Sequence, residues 1–219
     1  VTIAGTSGDG IFFDMNANQN VRSEIVIDRT QVSGTGSNGM NFQLSNAQVA
    51  DVRVHESLVT TAGGNGILYE ARGGNTAALA PVLPSRSLFE VLNTDVSLSG
   101  LNGIDVAALG EAEMLLFVEG STSNANVGNG LNVQAGGRTA GETARLDALI
   151  TNNQFEANAG LGAFLQTTDV PAGFAGGELI ALLEGNSISN NGTGGGTTDF
   201  EARNSPNGEM CISMTTNAF

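Results

Sequence analysis

The chain has no lysine and no tryptophan, one cysteine (Cys211), one histidine (His55), one tyrosine and only four prolines in 219 residues. Each shortage excludes something. A single cysteine forbids an intrachain disulfide and any zinc cluster built on cysteines. A lone thiol of this kind is expected to be buried as a small hydrophobe. The eight cations are all arginine and stand against 22 acids, a net charge of −14. Nucleic-acid binding needs a basic face, so no nucleic-acid partner is expected. Attraction to an anionic membrane surface is disfavoured for the same reason. No stretch reaches the roughly 18 consecutive apolar residues of a membrane span, so no membrane insertion is expected. Val1 is not an initiator and no signal peptide is visible. The chain reads as a mature or excised piece of something longer.

What is present is apolar and small. Hydrophobic residues make up 40% and charged residues only 14%. The polar surface must therefore come from Asn, Ser, Thr, Gln and the 31 glycines. Many glycines with few prolines suit tight turns between packed elements, and the apolar content is too high for a disordered tract. The acidity suits an extracellular or cell-surface location.

One phrase recurs: GDGIFF at 8–13, SNGMNF at 37–42, GNGILY at 64–69, LNGIDV at 101–106, GNGLNV at 128–133 and a degenerate GLGAFL at 160–165. The second Gly of each phrase marks the repeat: Gly10, Gly39, Gly66, Gly103, Gly130 and Gly162, with a weaker marker at Gly195. Apolar residues follow one and three places later, as in Ile67 and Tyr69 or Leu131 and Val133. That period of two is a short strand with one buried face. Seven places before the marker stand Ile3, Val32, Val59, Val96, Ser123, Phe155 and Ile188. Twelve before stand Ile27, Val54, Val91, Val118, Ile150 and Leu183. Nine before stand Thr30, Ser57, Thr94, Ser121, Asn153 and Asn186, residues that bond neighbouring backbone at turns. They are expected to form a hydrogen-bond ladder.

Each unit thus carries three short strands. The connection between the first and second strands varies, and it is long at 71–87 and 167–177. Such a coil cannot bury its apolar face alone; stacked coils bury it in continuous columns. Seven coils at about 4.8 Å each give a rod of about 34 Å. A β-sandwich also has period-2 strands, but the same residue classes at six offsets in six successive units argue against it.

The NG-hydrophobic phrases and Asn/Ser-rich turns resemble the repeats of right-handed parallel β-helices, the pectin-lyase-like superfold. The resemblance spans nearly the whole chain. It implies an all-β, right-handed, single-stranded parallel β-helix of about seven coils with three short strands per coil, one domain over 1–219.

The register places both ends of the chain in the same phase. Ile3 sits in the third-strand column. Ile212 and Met214 match the second strand, Asn217 the turn ladder and Phe219 the third strand. Val1, Ile3, Asn217 and Phe219 are therefore the expected stacking edges, either within a longer β-helix or between copies associating end to end. Open strand edges invite pairing.

The resemblance also implies polysaccharide chemistry, which the residues support poorly. Lyases similar to pectate lyase use an Arg or Lys base beside acidic calcium ligands. Hydrolases similar to polygalacturonase use clustered Asp with Gly-His-Gly and Arg-x-Lys. This chain has no Lys, no Gly-His-Gly and no Asp-Asp pair. Asn93-Thr94-Asp95 matches the hydrolase tripeptide, but Asn93 and Thr94 belong to the turn ladder. Glycoside hydrolysis needs paired carboxylates. Glu70 and Asp105 face outward from adjacent coils on a diagonal of about 7–8 Å. Glu70, Asp95 and Asp105 are the candidate binding residues, for a cation or a polysaccharide. No catalytic residue is assigned. Calcium is the one conceivable cofactor, at Asp9 and Asp14 or at the GLNGIDV of 100–106, through oxygen ligands. His55 beside Asp28, Arg29 beside Glu56 and Arg53 beside Glu90 read as surface charge pairs. Phe12, Leu68 and Phe164 face outward.

The expected function is a non-catalytic structural or adhesive β-helix of an extracellular surface or filament-forming protein. The alternative is a polysaccharide-binding or polysaccharide-cleaving β-helix: a lyase, a hydrolase or a tailspike-like trimer. The missing catalytic sets disfavour an enzyme.

Overall fold

The computed structural model describes residues 1–16, 22–45, 49–73, 84–137, 142–169, 176–192 and 199–219. The weak marker Gly195 and parts of the two long connections, 74–83 and 170–175, lie outside the described residues.

Alternating apolar residues between Gly/Asn/Ser turns fold into 21 strands, which sort into three seven-stranded parallel sheets. Numbered in chain order, sheet A stacks β1 (Thr2–Ala4), β4 (Gln31–Ser33), β7 (Leu58–Thr60), β10 (Asp95–Ser97), β13 (Thr122–Asn124), β16 (Gln154–Glu156) and β19 (Ser187–Ser189). Sheet B stacks β2 (Ile11–Asn16), β5 (Met40–Ser45), β8 (Ile67–Arg72), β11 (Ile104–Leu109), β14 (Leu131–Gly137), β17 (Ala163–Asp169) and β20 (Phe200–Arg203). Sheet C stacks β3 (Arg22–Asp28), β6 (Val49–His55), β9 (Ser85–Leu92), β12 (Ala112–Glu119), β15 (Arg145–Thr151), β18 (Glu178–Glu184) and β21 (Glu209–Thr215). Each strand pairs with its copy one turn away. The chain is a parallel β-helix, with six turns between β1 and β19 and a seventh begun by β20 and β21.

The register is the one the repeat implies. Val59 pairs with both Val32 and Val96, Tyr69 with Phe42 and Val106, and Val91 with Val54 and Val118. These columns are fully buried and form one continuous core. The core stacks aromatic rings where they fall in adjacent positions, Tyr69 on Phe89 at 4.4 Å between centroids and Phe13 on Phe42 at 5.8 Å. Where a coil puts Ser123 in the apolar column, its hydroxyl donates to the Gly130 carbonyl at 2.7 Å and accepts from the Asn126 amide at 3.2 Å.

The turns into sheet A use one left-handed residue followed by one ladder residue. Arg29, Glu56, Asn93, Gly120, Asn152, Gly185 and Thr216 all have φ between 47° and 65°. The next residue buries its side chain and accepts the backbone N–H of the coil before it. Ser121 N–H donates to Asn153 Oδ1 at 2.9 Å, and Asn153 N–H to Asn186 Oδ1 at 3.0 Å. The expected ladder is therefore present. A second one leaves sheet A through Ser99, Asn126, Asn158 and Asn191, again after left-handed residues. A third uses the Asn of each NG phrase and runs the other way. There the N–H of Asn65, Asn102 and Asn129 donates to the side chain of the preceding coil, at 2.8–3.0 Å.

The marker glycines answer to close approach. A Cβ on Gly66 would meet Val96 Cγ1 at 2.2 Å and the Gly103 carbonyl oxygen at 2.7 Å, and at Gly10, Gly39, Gly103, Gly130 and Gly162 the nearest atom would lie at 1.9–2.6 Å. One expectation fails. Cys211 is exposed, not buried. Met210 and Ile212 pack against the core, so strand alternation turns the thiol outward.

Candidate functional site

The candidate acids stand where the register placed them, but they do not form one site. Asp105 pairs with Leu68 and Glu70 with Ala107, so the two are diagonal neighbours on the outer face of sheet B. Each carboxylate is engaged locally. Asp105 accepts from the Asn132 amide at 2.7 Å and the Asn102 amide at 3.1 Å. Glu70 forms an ion pair with Arg72, two places along its own strand. Asp95 is exposed at the start of β10 on sheet A, a different face of the solenoid. Its neighbour Thr94 is buried in the turn ladder, donating to the Leu92 carbonyl at 3.0 Å.

The charge pairs fall on sheet C and on the turns that leave it. Arg29 donates to Glu56 at 2.9 Å. Arg53 lies 3.2 Å from Glu90 and 2.7 Å from Asp51. His55 pairs in register with Asp28, yet its closest acid is Glu90, 3.5 Å from Nε2. Glu90 thus sits between Arg53 and His55.

Asp9 does not offer the surroundings a calcium ion takes. It accepts the Asn41 side-chain amide at 2.7 Å and both the backbone N–H and side-chain amide of Asn38, at 2.8 and 3.1 Å. N–H groups face this carboxylate where a hard cation needs further oxygens. Burial works against its charge, but the hydrogen bonds from Asn41, Ser37 and Asn38 together outweigh it. The Asp9 carboxyl is held below the usual range. Among the described residues, no three His, Cys, Asp or Glu side chains converge as a metal site would require.

The edge residues continue the stack. The Val1 carbonyl accepts from Gln31 N–H at 2.8 Å, and Ile3 pairs with Val32. Asn217 Oδ1 accepts the Asn186 N–H at 3.0 Å, and the ring of Phe219, which is 62% exposed, lies 6.5 Å from that of Phe200. Outward Phe164 is covered by the Arg203 guanidinium, 5.3 Å from the ring centroid.

One surface feature was not announced by the repeat. Two shallow grooves of about 430 and 410 Å³ run along the outer face of sheet C. Their floor is apolar: Leu88, Leu115, Phe117, Leu149, Ile180 and Leu182. Arg86, Glu113 and Arg145 border it, and Asp147 stands within it between Leu115 and Ile180. Tyr69 is buried in the core beneath, where burial drives its phenol far above the usual range. The signal was in the sequence. Met114–Val118 and Leu179–Leu183 are unbroken apolar runs, and parallel strands read that way when both faces are covered. Marking only the inward alternate residues of each strand hides it.

No family model, no curated protein and no solved structure matches this chain.

Proposed function

We propose that this chain is a non-catalytic structural or adhesive β-helix of an extracellular surface or filament-forming assembly. The observation that carries the reading is the use made of the outward acids. Asp105 is held by two asparagine amides, Glu70 by Arg72, and Asp9 by Asn38 and Asn41. A carboxylate tied into its own coil or the next stabilises the stack and is poorly free for acid–base work, which needs reach to a substrate proton. The outer face of sheet A points the same way. It presents mainly hydrogen-bonding groups such as Gln31, Ser33, Thr122, Asn124 and Ser187, with Asp95 and Glu156 as separate single acids.

In this reading copies of the solenoid join end to end at the Val1/Ile3 and Asn217/Phe219 edges. Light scattering and negative-stain imaging of the native assembly test it. Filaments are the expected result. A compact monomer that never stacks sinks the end-to-end arrangement. It would direct attention to acidic polysaccharides, with Glu70, Asp95 and Asp105 the first residues to substitute.

A further inference from the structure

We propose that two copies of this chain pair face to face through the outer surface of sheet C, with their solenoid axes antiparallel, about a two-fold axis running along the strands between β12 and β15. The apolar floor of that surface runs from β9 to β18, broken by Asp147 between Leu115 and Ile180 and by Glu90 before Phe117, and Leu115 and Ile180 are 48% and 36% exposed. Large exposed apolar patches with polar rims mark association sites. The chain's own charge of −14 opposes self-association, so a second copy must find opposite charges on this face. It does.

The outward column flanking the floor reads Arg86, Glu113, Arg145, Glu178 through four successive rungs. Within one copy these already pair along the stack, Arg86 with Glu113 at 2.8 Å and Arg145 with Glu178 at 3.6 Å. Reversing an alternating column of four about its midpoint exchanges every charge for its opposite. The two-fold axis therefore sets Arg86 of one copy against Glu178 of the other, and Glu113 against Arg145. The same operation lays Leu88 on Ile180 and Phe117 on Leu149, and sets Asp147, held by its own Arg145, against Leu115. From β6 to β21, no two like charges stand directly opposite in any of the four outward columns.

Other arrangements do not share this property. An axis centred on β12 opposes Arg86 to Arg145, and one centred on β15 opposes Glu113 to Glu178. An axis parallel to the solenoid opposes Glu113 to Glu119 and Glu178 to Glu184. Like charges across an interface reject wrong partners and fix register. The size is also sufficient. Six strands about 4.8 Å apart and about seven residues long at roughly 3.3 Å give a face of about 670 Å². Two such faces bury about 1,300 Å² together, within the range of specific interfaces.

Sedimentation equilibrium on the 219-residue chain at tens of micromolar tests the proposal. A species of twice 22.3 kDa is expected. Arg86→Glu with Arg145→Glu makes the column wholly acidic, and Leu149→Lys puts a charge in the apolar centre. Each should raise the dimer dissociation constant about a hundredfold or more. All three residues face outward, so thermal melting by circular dichroism should show folded monomers. The decisive variant exchanges the whole column: Arg86→Glu, Glu113→Arg, Arg145→Glu and Glu178→Arg. It restores alternation in the opposite phase. It should pair with itself and refuse the unmodified chain, so that a mixture holds two homodimers and no heterodimer. If the chain also stacks end to end, its filaments should be two solenoids wide, and one wide for Leu149→Lys. A monomer or trimer of the unmodified chain, filaments one solenoid wide, or free mixing with the column-exchanged variant would overturn the proposal.

Discussion

Sheets A and C share one core and differ outside it. Sheet A is made of three-residue strands whose outward residues are mostly hydroxyls, amides and single acids: Ser97, Thr122, Asn124, Gln154 and Ser187. Its order comes from its two ends, where left-handed residues and ladder side chains hold each coil to the next. Sheet C has strands of seven or eight residues, and from β9 to β18 its central outward columns are largely apolar. Water is an adequate partner for the first surface and a poor one for the second. Inward residues make the solenoid; outward residues report what each face meets.

The comparison predicts equal sensitivity inside and unequal sensitivity outside. Val54 of sheet C and Val96 of sheet A are both fully buried. Val54→Asp or Val96→Asp buries an unpaired charge and should cost more than about 4 kcal/mol, enough to abolish cooperative melting. If either variant melted as the unmodified chain does, the register would be wrong and the comparison would collapse with it. Outward Thr122→Lys on sheet A should stay within about 0.5 kcal/mol.

The ladder around sheet A gives the next effect. Asn153 is 1% exposed; it accepts the Ser121 N–H and donates to the Val118 carbonyl and Asn186 Oδ1. Asn153→Ala strands a buried N–H and a buried carbonyl at once, and should cost about 2–4 kcal/mol in urea unfolding. A loss under about 0.5 kcal/mol would mean that the apolar columns alone hold the coils. Gly is the converse case. Leu98 is 55% exposed at a φ of 56°, where a Cβ is disfavoured. Leu98→Gly should stabilise by about 0.5–1 kcal/mol, a small rise in midpoint.

The parallel coils, the columns and the first ladder were legible because each needs a fixed offset from Gly66 or its counterparts, and six repeats make an offset hard to miss. The other ladders were equally periodic. Asn38, Asn65, Asn102 and Asn129 stand immediately before the markers, yet a turn asparagine is explained by turn chemistry alone. Only geometry shows its oxygen accepting from the next coil. Cys211 was legible too, since Ile212 and Met214 already held the second-strand columns and alternation turns the residue before Ile212 outward. The acid pairs were less so. Register fixes which residues are adjacent, but rotamers choose among adjacent partners, so Glu70 turned to Arg72 and His55 to Glu90. The outer face of sheet C required reading both alternate sets of each strand together.

The smallest effect lies at the first rung of the NG ladder. Asp9 occupies the asparagine position there and receives Asn38 and Asn41. Its folded pKa lies below the ordinary value of 3.8. A carboxyl depressed on folding stabilises the native state at pH above its unfolded pKa, and that contribution is lost as pH falls through the folded one. Asp9→Asn removes the titration while keeping an acceptor oxygen for the Asn38 N–H. At neutral pH the variant should therefore be slightly less stable than the unmodified chain. As pH falls through the folded pKa the two should converge, because the unmodified Asp9 is then protonated as well. Urea midpoints followed from neutral pH into acid measure this. A gap that widened in acid would mean that Asp9 is destabilising where it stands, and that the NG ladder draws its strength from its amides alone.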